Sequence, residues 1–146
     1  MSKPRIPRTD LSATLGTLLD RAAPQGLVSA YLFGSHAEGR AHRESDVDVA
    51  VLLSRDVHAS PAARFQERIR LCAWLMAELQ ENLVDVVVLN DAQPGLARRI
   101  VTTGRRVFCR DHAADHAFAR DVQLRAADLE PFLRRTRRVK LAALVR

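Results

Sequence analysis

Two apolar runs separated by a short polar segment constrain the fold of this chain more than any other feature. The first run, Val28–Phe33, ends at Gly34 and Ser35. The second, Val47–Leu53, is opened by an aspartate pair, and ten residues separate Ser35 from the first of the two aspartates. Apolar runs of this length, bounded by turn residues, predict two buried strands. Glycine allows a tight turn and a close approach of the backbone to a bound group, so the first strand is predicted to end at a phosphate-binding turn.

The aspartate pair gives the second strand its chemistry. Asp46 and Asp48 are two positions apart, and side chains on a strand alternate faces, so both carboxylates are expected on one face, ~7 Å apart along the backbone. Like charges at that distance repel each other, and a divalent cation between them removes the repulsion while gaining oxygen ligands. A turn that cradles phosphate beside such a pair favours transfer of a phosphoryl or nucleotidyl group. Taken singly, either motif is more often a plain turn or a solvated loop edge.

A third carboxylate lies in the next apolar run. Asp85 is the one charged residue of Leu83–Leu89, and a charge inside a buried strand is costly unless it is paired or bound to a metal. We predict that this strand lies beside the strand of Asp46 and Asp48, so that the three carboxylates surround one or two metal ions. The alternative is a charge at the strand start that faces solvent.

The pattern Gly-Ser, ten residues, Asp-x-Asp resembles the DNA polymerase β-like nucleotidyltransferases, and most of all their minimal MNT-type members. The resemblance extends over roughly residues 28–110 and implies an α/β (α+β) fold, with a small mixed sheet flanked by helices. It implies that Gly34 and Ser35 bind the nucleotide and that Asp46, Asp48 and Asp85 bind two Mg²⁺ ions and are catalytic. Arg40 or Arg43 could neutralise phosphate charge.

In this family MNT proteins are often antitoxins of HEPN ribonuclease toxins, and some transfer AMP from ATP to a toxin tyrosine. The resemblance therefore implies a protein adenylyltransferase whose partner is a HEPN toxin. Two alternatives stay open: a non-catalytic antitoxin that masks its toxin by binding, and a small-molecule nucleotidyltransferase of the aminoglycoside-modifying type. The small-molecule nucleotidyltransferase is disfavoured because residues 111–146 are short for an acceptor-binding domain.

The remaining sequence predicts one domain over residues 1–146, with a core at about 27–110, an N-terminal helix at 10–22 and a C-terminal helical segment at 111–146. Ser60 and Pro61 predict the start of a helix that packs through a stripe including Phe65 and Ile69. Pro131 is expected to kink or split the last segment. His112 and His116 have metal-ligand spacing but no further ligands nearby, so a solvated helix start, with Asp111 and Asp115, is favoured.

Composition bears on where the protein acts and on the kind of partner it binds. Its two cysteines, Cys72 and Cys109, are too few for a disulfide framework, and no apolar stretch is long enough to cross a membrane. A cytoplasmic location is expected. The net charge of +6 is concentrated at the ends: residues 134–146 carry six basic side chains and no acid. A partner surface and a solvated helix explain this equally well, and no RNA- or DNA-binding motif accompanies it.

Overall fold

A computed structural model describes residues 11–37 and 46–144. The strands and helices occur along the chain in the order α1 Leu11–Ala22, β1 Leu27–Phe33, β2 Val47–Leu53, α2 Pro61–Leu79, β3 Val84–Val88, α3 Pro94–Thr103, β4 Arg105–Cys109 and α4 His112–Leu144. Single 3₁₀ turns follow β1 and β3, at Gly34–His36 and Leu89–Asp91. The α/β fold class predicted from the sequence is confirmed. Within these ranges no helix is both long and apolar enough to span a membrane.

The four strands form one mixed sheet in the order β3-β2-β1-β4. β1 pairs with β2 and with β4 in antiparallel fashion, whereas β2 and β3 are parallel. A parallel neighbour requires a crossover connection, and α2 supplies it. The end of β1 and the starts of β2, β3 and β4 therefore meet at one end of the sheet, which is where the predicted site residues lie.

Each face of the sheet carries its own hydrophobic cluster. Leucines of α1 and α2 pack against one face, on which Val47, Val49 and Val51 of β2 lie. Helices α3 and α4 cover the other, through Ile100 and Val122. Side chains alternate along a strand, so Asp48 shares the second face with Ala50. The carboxylates thus emerge on the α3 and α4 side of the sheet.

The apolar stripe predicted for α2 is confirmed only in its second half. Leu75 and Leu79 of that stripe are buried, together with Leu71, whereas Phe65 and Ile69 were expected to pack inward and are each 55% exposed. The burial of Arg64, whose charged side chain lies on the inward face at the start of α2, was not predicted. The predicted start of α2 is confirmed, since Ser60 caps the helix: its Oγ accepts a hydrogen bond from the Ala63 N–H at 3.0 Å.

Pro131 does not split the C-terminal segment, which is a single helix from His112 to Leu144. Residues around Pro131 are exposed, so the backbone carbonyl that loses its N–H partner can bond to water instead. From residue 127 onward almost every residue of α4 is exposed, and Glu130 lies 3.9 Å from the exposed Arg98 of α3. Truncating this part should therefore leave the core intact.

Candidate active site

The turn after β1 brings the main chain against a carboxylate. Gly34 has φ +73°, in the left-handed region that glycine tolerates best, and it begins the short 3₁₀ turn that contains Ser35. A Cβ built on Gly34 would overlap Oδ2 of Asp48. Glycine is therefore required here twice over, by its backbone angle and by the space that the Asp48 carboxylate occupies. The backbone of the predicted turn is confirmed, and the turn lies against Asp48, one of the candidate metal ligands.

Asp48 and Asp85 lie side by side. They are Cα partners in the parallel β2–β3 ladder, so their side chains leave the same face of the sheet. On its other flank Asp48 is paired with Phe33, the residue before the glycine turn. The order across this end of the sheet is therefore the turn, then Asp48, then Asp85. The predicted adjacency of the two strands is confirmed, although Asp85 is also exposed, with 56% of its side chain open to solvent.

Asp46 immediately precedes β2 and is exposed. Within residues 11–37 and 46–144, no three histidine, cysteine or acidic side chains are close enough together to hold a metal ion. The fold thus brings Asp48 and Asp85 together and leaves Asp46 at the solvent side. Carboxylate oxygens from adjacent strands are nevertheless the donors that Mg²⁺ takes, so the side chains fit a hard divalent cation in their chemistry. Arg40 and Arg43 lie outside the described residues.

An arginine that the sequence did not reveal lies next to Asp85. Arg68, on α2, places Nη2 3.5 Å from Asp85 Oδ1 and donates from Nε to the Val86 carbonyl at 2.6 Å. Both side chains are about half exposed, so water screens their attraction and the pair adds little stability. The effect of the pair is positional, because it holds the Arg68 guanidinium at the outer side of Asp85. No local pattern predicts this contact, since it depends on how α2 packs beside β3.

A buried polar network anchors α4 behind the site. Asp115 is 3% exposed and accepts hydrogen bonds from Ser29 Oγ at 2.6 Å, Tyr31 Oη at 2.7 Å and Arg106 Nη1 at 2.9 Å. Ser29 and Tyr31 lie on β1, and Arg106 lies on β4. The network therefore joins both strands to α4. The sequence suggested a solvated Asp115, and that reading was wrong; His112 and His116 are exposed, in agreement with the reading of a solvated helix start.

The network shifts the acidities of its members. Burial acts to raise the pKa of Asp115, but hydrogen bonds from Ser29, Tyr31 and Arg106 outweigh it and leave that pKa below its usual value. For Tyr31, burial first and then the hydrogen bond to Asp115 raise the pKa of the phenol. Tyr31 is therefore a neutral donor and Asp115 an ionised acceptor at neutral pH, which is the arrangement that stabilises the fold.

Comparisons with known proteins agree with this geometry. Residues 21–113 match the family model "Polymerase beta, Nucleotidyltransferase", a range that includes the glycine turn and all three carboxylates. Over 78 residues the chain is 35% identical to the protein adenylyltransferase MntA of Shewanella oneidensis; the match covers 53% of this chain and spans about half, 51%, of that relative.

Two solved structures are similar over nearly the whole chain. One is the crystal structure of a toxin-antitoxin with AMP-PNP, at 27% identity and a TM-score of 0.65, covering 93% of this chain and 99% of that one. The other is a tri-AMPylated Shewanella oneidensis HEPN toxin in complex with MNT antitoxin, at 24% identity and a TM-score of 0.60, covering 94% and 99%, a likeness of fold. With its glycine turn, its paired aspartates and its sheet order, this chain belongs to the polymerase β nucleotidyltransferase family.

Proposed function

We propose that this chain is an antitoxin that transfers AMP from ATP to a tyrosine hydroxyl of a HEPN ribonuclease toxin, releasing pyrophosphate. The observation that carries the proposal is the row formed by the Gly34 turn, Asp48 and Asp85 at one end of the sheet. A phosphate-binding turn directly beside paired carboxylates is what nucleotidyl transfer needs, and masking a partner would need neither.

The nature of the transferred group and of the partner is supported by the relatives. The 35%-identical protein is named a protein adenylyltransferase, and the toxin-antitoxin structure at 27% identity contains an ATP analogue. Together with the resemblance to MNT-type antitoxins, these names favour ATP over other nucleotides and a toxin over a small-molecule acceptor.

In this mechanism the backbone N–H groups of the turn and the Ser35 hydroxyl would hold phosphate oxygens of ATP. Asp48 and Asp85 would hold Mg²⁺, and the exposed Asp46 carboxylate would turn toward them to complete the ligand set. The ion would supply positive charge to the phosphates when bound. The tyrosine oxygen forms a bond to the α-phosphorus while the bond from that phosphorus to the bridging oxygen breaks, and pyrophosphate leaves. Asp85, on the flank away from the turn, would accept the tyrosine proton.

The proposal is tested by incubating the chain with a purified HEPN-family partner, Mg²⁺ and ATP labelled at the α-phosphate. Label on the partner is expected with the wild type, and with Asp56→Asn, an exposed aspartate in the turn after β2 that serves as a charge-matched control. Asp48→Asn should lose the label. Tight binding of the partner by every variant without any label would instead establish masking.

A further inference from the structure

Among the described strands β3 is at the edge of the sheet, and its outer side lies directly beside the site. Val47 N–H donates to the Leu83 carbonyl at 3.0 Å, so by alternation the carbonyls of Val84 and Val86 face away from β2. Both are already bonded: Cys72 Sγ donates to Val84 O at 3.0 Å, and Arg68 Nε donates to Val86 O. Side chains of α2 therefore occupy two of the acceptors that an added strand would use, which disfavours strand addition and favours a partner that binds at this edge through side chains.

Next to this edge is an open groove of about 340 Å³. Phe65, Val87 and Leu96 give it apolar walls, and Arg68 and Asp91 give it polar ones. Phe65 is 55% exposed and Leu96 is 42% exposed, although both are large apolar side chains. Exposed apolar side chains that line a concave surface are typical of binding sites.

The two sides of the groove are tied together at its far end. Arg64 of α2 donates from Nε and Nη2 to the two oxygens of Asp91, both at 2.8 Å, and from Nη1 to the His58 carbonyl at 3.0 Å. The Arg64 guanidinium lowers the pKa of Asp91, against the effect of burial, so the pair stays ionised at neutral pH. Because this bidentate pair joins α2 to the turn after β3, the groove is formed before any partner binds.

The groove opens on the flank of the site opposite to the glycine turn. Val87 follows Asp85 by two residues on the same strand face, and Arg68 contacts both the groove and the Asp85 carboxylate. Nucleotidyl transfer is an in-line displacement, in which the attacking and leaving oxygens lie on opposite sides of the phosphorus. With the phosphates held at Gly34, the acceptor approaches from the side of Asp85, where the groove lies.

We infer that this groove docks the tyrosine-bearing segment of the protein acceptor, which inserts an apolar side chain neighbouring the tyrosine between Phe65 and Leu96. The inference rests on the proposed function, and it assigns to these residues a role in acceptor specificity. A segment of the partner is favoured over a second copy of this chain because Arg68 both lines the groove and lies 3.5 Å from Asp85, the carboxylate at which the acceptor hydroxyl would react.

The test compares transfer of label from ATP to two acceptors, the HEPN-family partner and N-acetyl-tyrosinamide, which has no neighbouring side chains to fill the groove. Phe65→Ala should raise the KM for the partner on the order of tenfold, the effect of losing an aromatic anchor, with little change in kcat. Leu96→Glu should act more strongly by placing a charge in the groove. Neither variant should change transfer to N-acetyl-tyrosinamide or the affinity for AMP-PNP.

Leu124→Ala is the matched control, since Leu124 is a 62% exposed apolar residue on α4 that lies outside the groove. Thermal unfolding checks that each variant is folded. If the groove variants and the control have the wild-type KM for the partner, the docking site is refuted while the proposed function stands. If the wild type labels neither acceptor, it is the proposed function that fails.

Discussion

Replacing Gly34 with alanine probes the contact between the turn and Asp48. At φ +73° an alanine costs ~1–2 kcal/mol relative to glycine. Its Cβ would also overlap Asp48 Oδ2, so the carboxylate must turn away. For a chain of this length, a loss of about 1–2 kcal/mol lowers the unfolding midpoint by roughly 2–8 °C. The protein should therefore fold at room temperature with the carboxylate of Asp48, a proposed metal ligand, displaced.

The effect on catalysis should be much larger than the effect on stability. A displacement of the order of 1 Å at a reacting centre costs roughly a hundredfold in rate. We expect Gly34→Ala to lower kcat/KM for labelling of the partner by about that factor. The assay is label transfer at a temperature well below both unfolding midpoints, with the midpoints measured by circular dichroism.

Gly95→Ala is the control, because no atom lies within 4 Å of the Cβ position at Gly95 in α3. It should be neutral or stabilising, by up to about 1 kcal/mol, and should keep full activity. Wild-type activity in Gly34→Ala would refute the argument that the turn and Asp48 act as one unit. So would equal losses in the two variants.

Three further predictions concern the frame of the site. Asp115→Ala should destabilise the fold by about 2–5 kcal/mol, measured by urea unfolding, because the buried hydroxyls of Ser29 and Tyr31 lose their acceptor; the half-exposed Arg106 adds little. Since the folded pKa of Asp115 is depressed, its stabilising effect is present above the unfolded pKa of about 4 and is lost as pH falls through the folded value. The unfolding midpoint of Asp115→Asn should therefore fall less than that of the wild type on acidification below about pH 4, and parallel curves would contradict this. Deleting residues 134–146 should leave the midpoint within about 2 °C of the wild type, because the described part of that segment is exposed or half exposed; a large fall would mean that the end of α4 packs on the core.

The parts of the fold that depend on local sequence were predicted well. The apolar runs of β1 and β2 end where the sequence places them, since turn residues and charges bound them. The crossover through α2 made a parallel β3 beside β2 the natural topology, and that placed Asp85 next to Asp48.

Two of the errors, at Phe65 and Asp115, involve partners that are distant in the sequence. Phe65 was assigned to the core on its hydrophobicity, whereas the inward position beside it belongs to Arg64, whose partner Asp91 is 27 residues away. Asp115 looked solvated because its acceptor role depends on Ser29 and Tyr31, 86 and 84 residues away. Helical periodicity contains no information about such pairs, so they become visible only when the chain is folded.

The proposed adenylyl transfer is tested most directly by the intact mass of the HEPN-family partner after incubation with this chain, ATP and Mg²⁺. With the wild type, the partner is expected to gain the mass of one or more AMP groups on tyrosine, and it should gain none with Asp85→Asn or when Mg²⁺ is chelated. An unchanged mass for a partner that binds the wild-type chain tightly would contradict the proposed function.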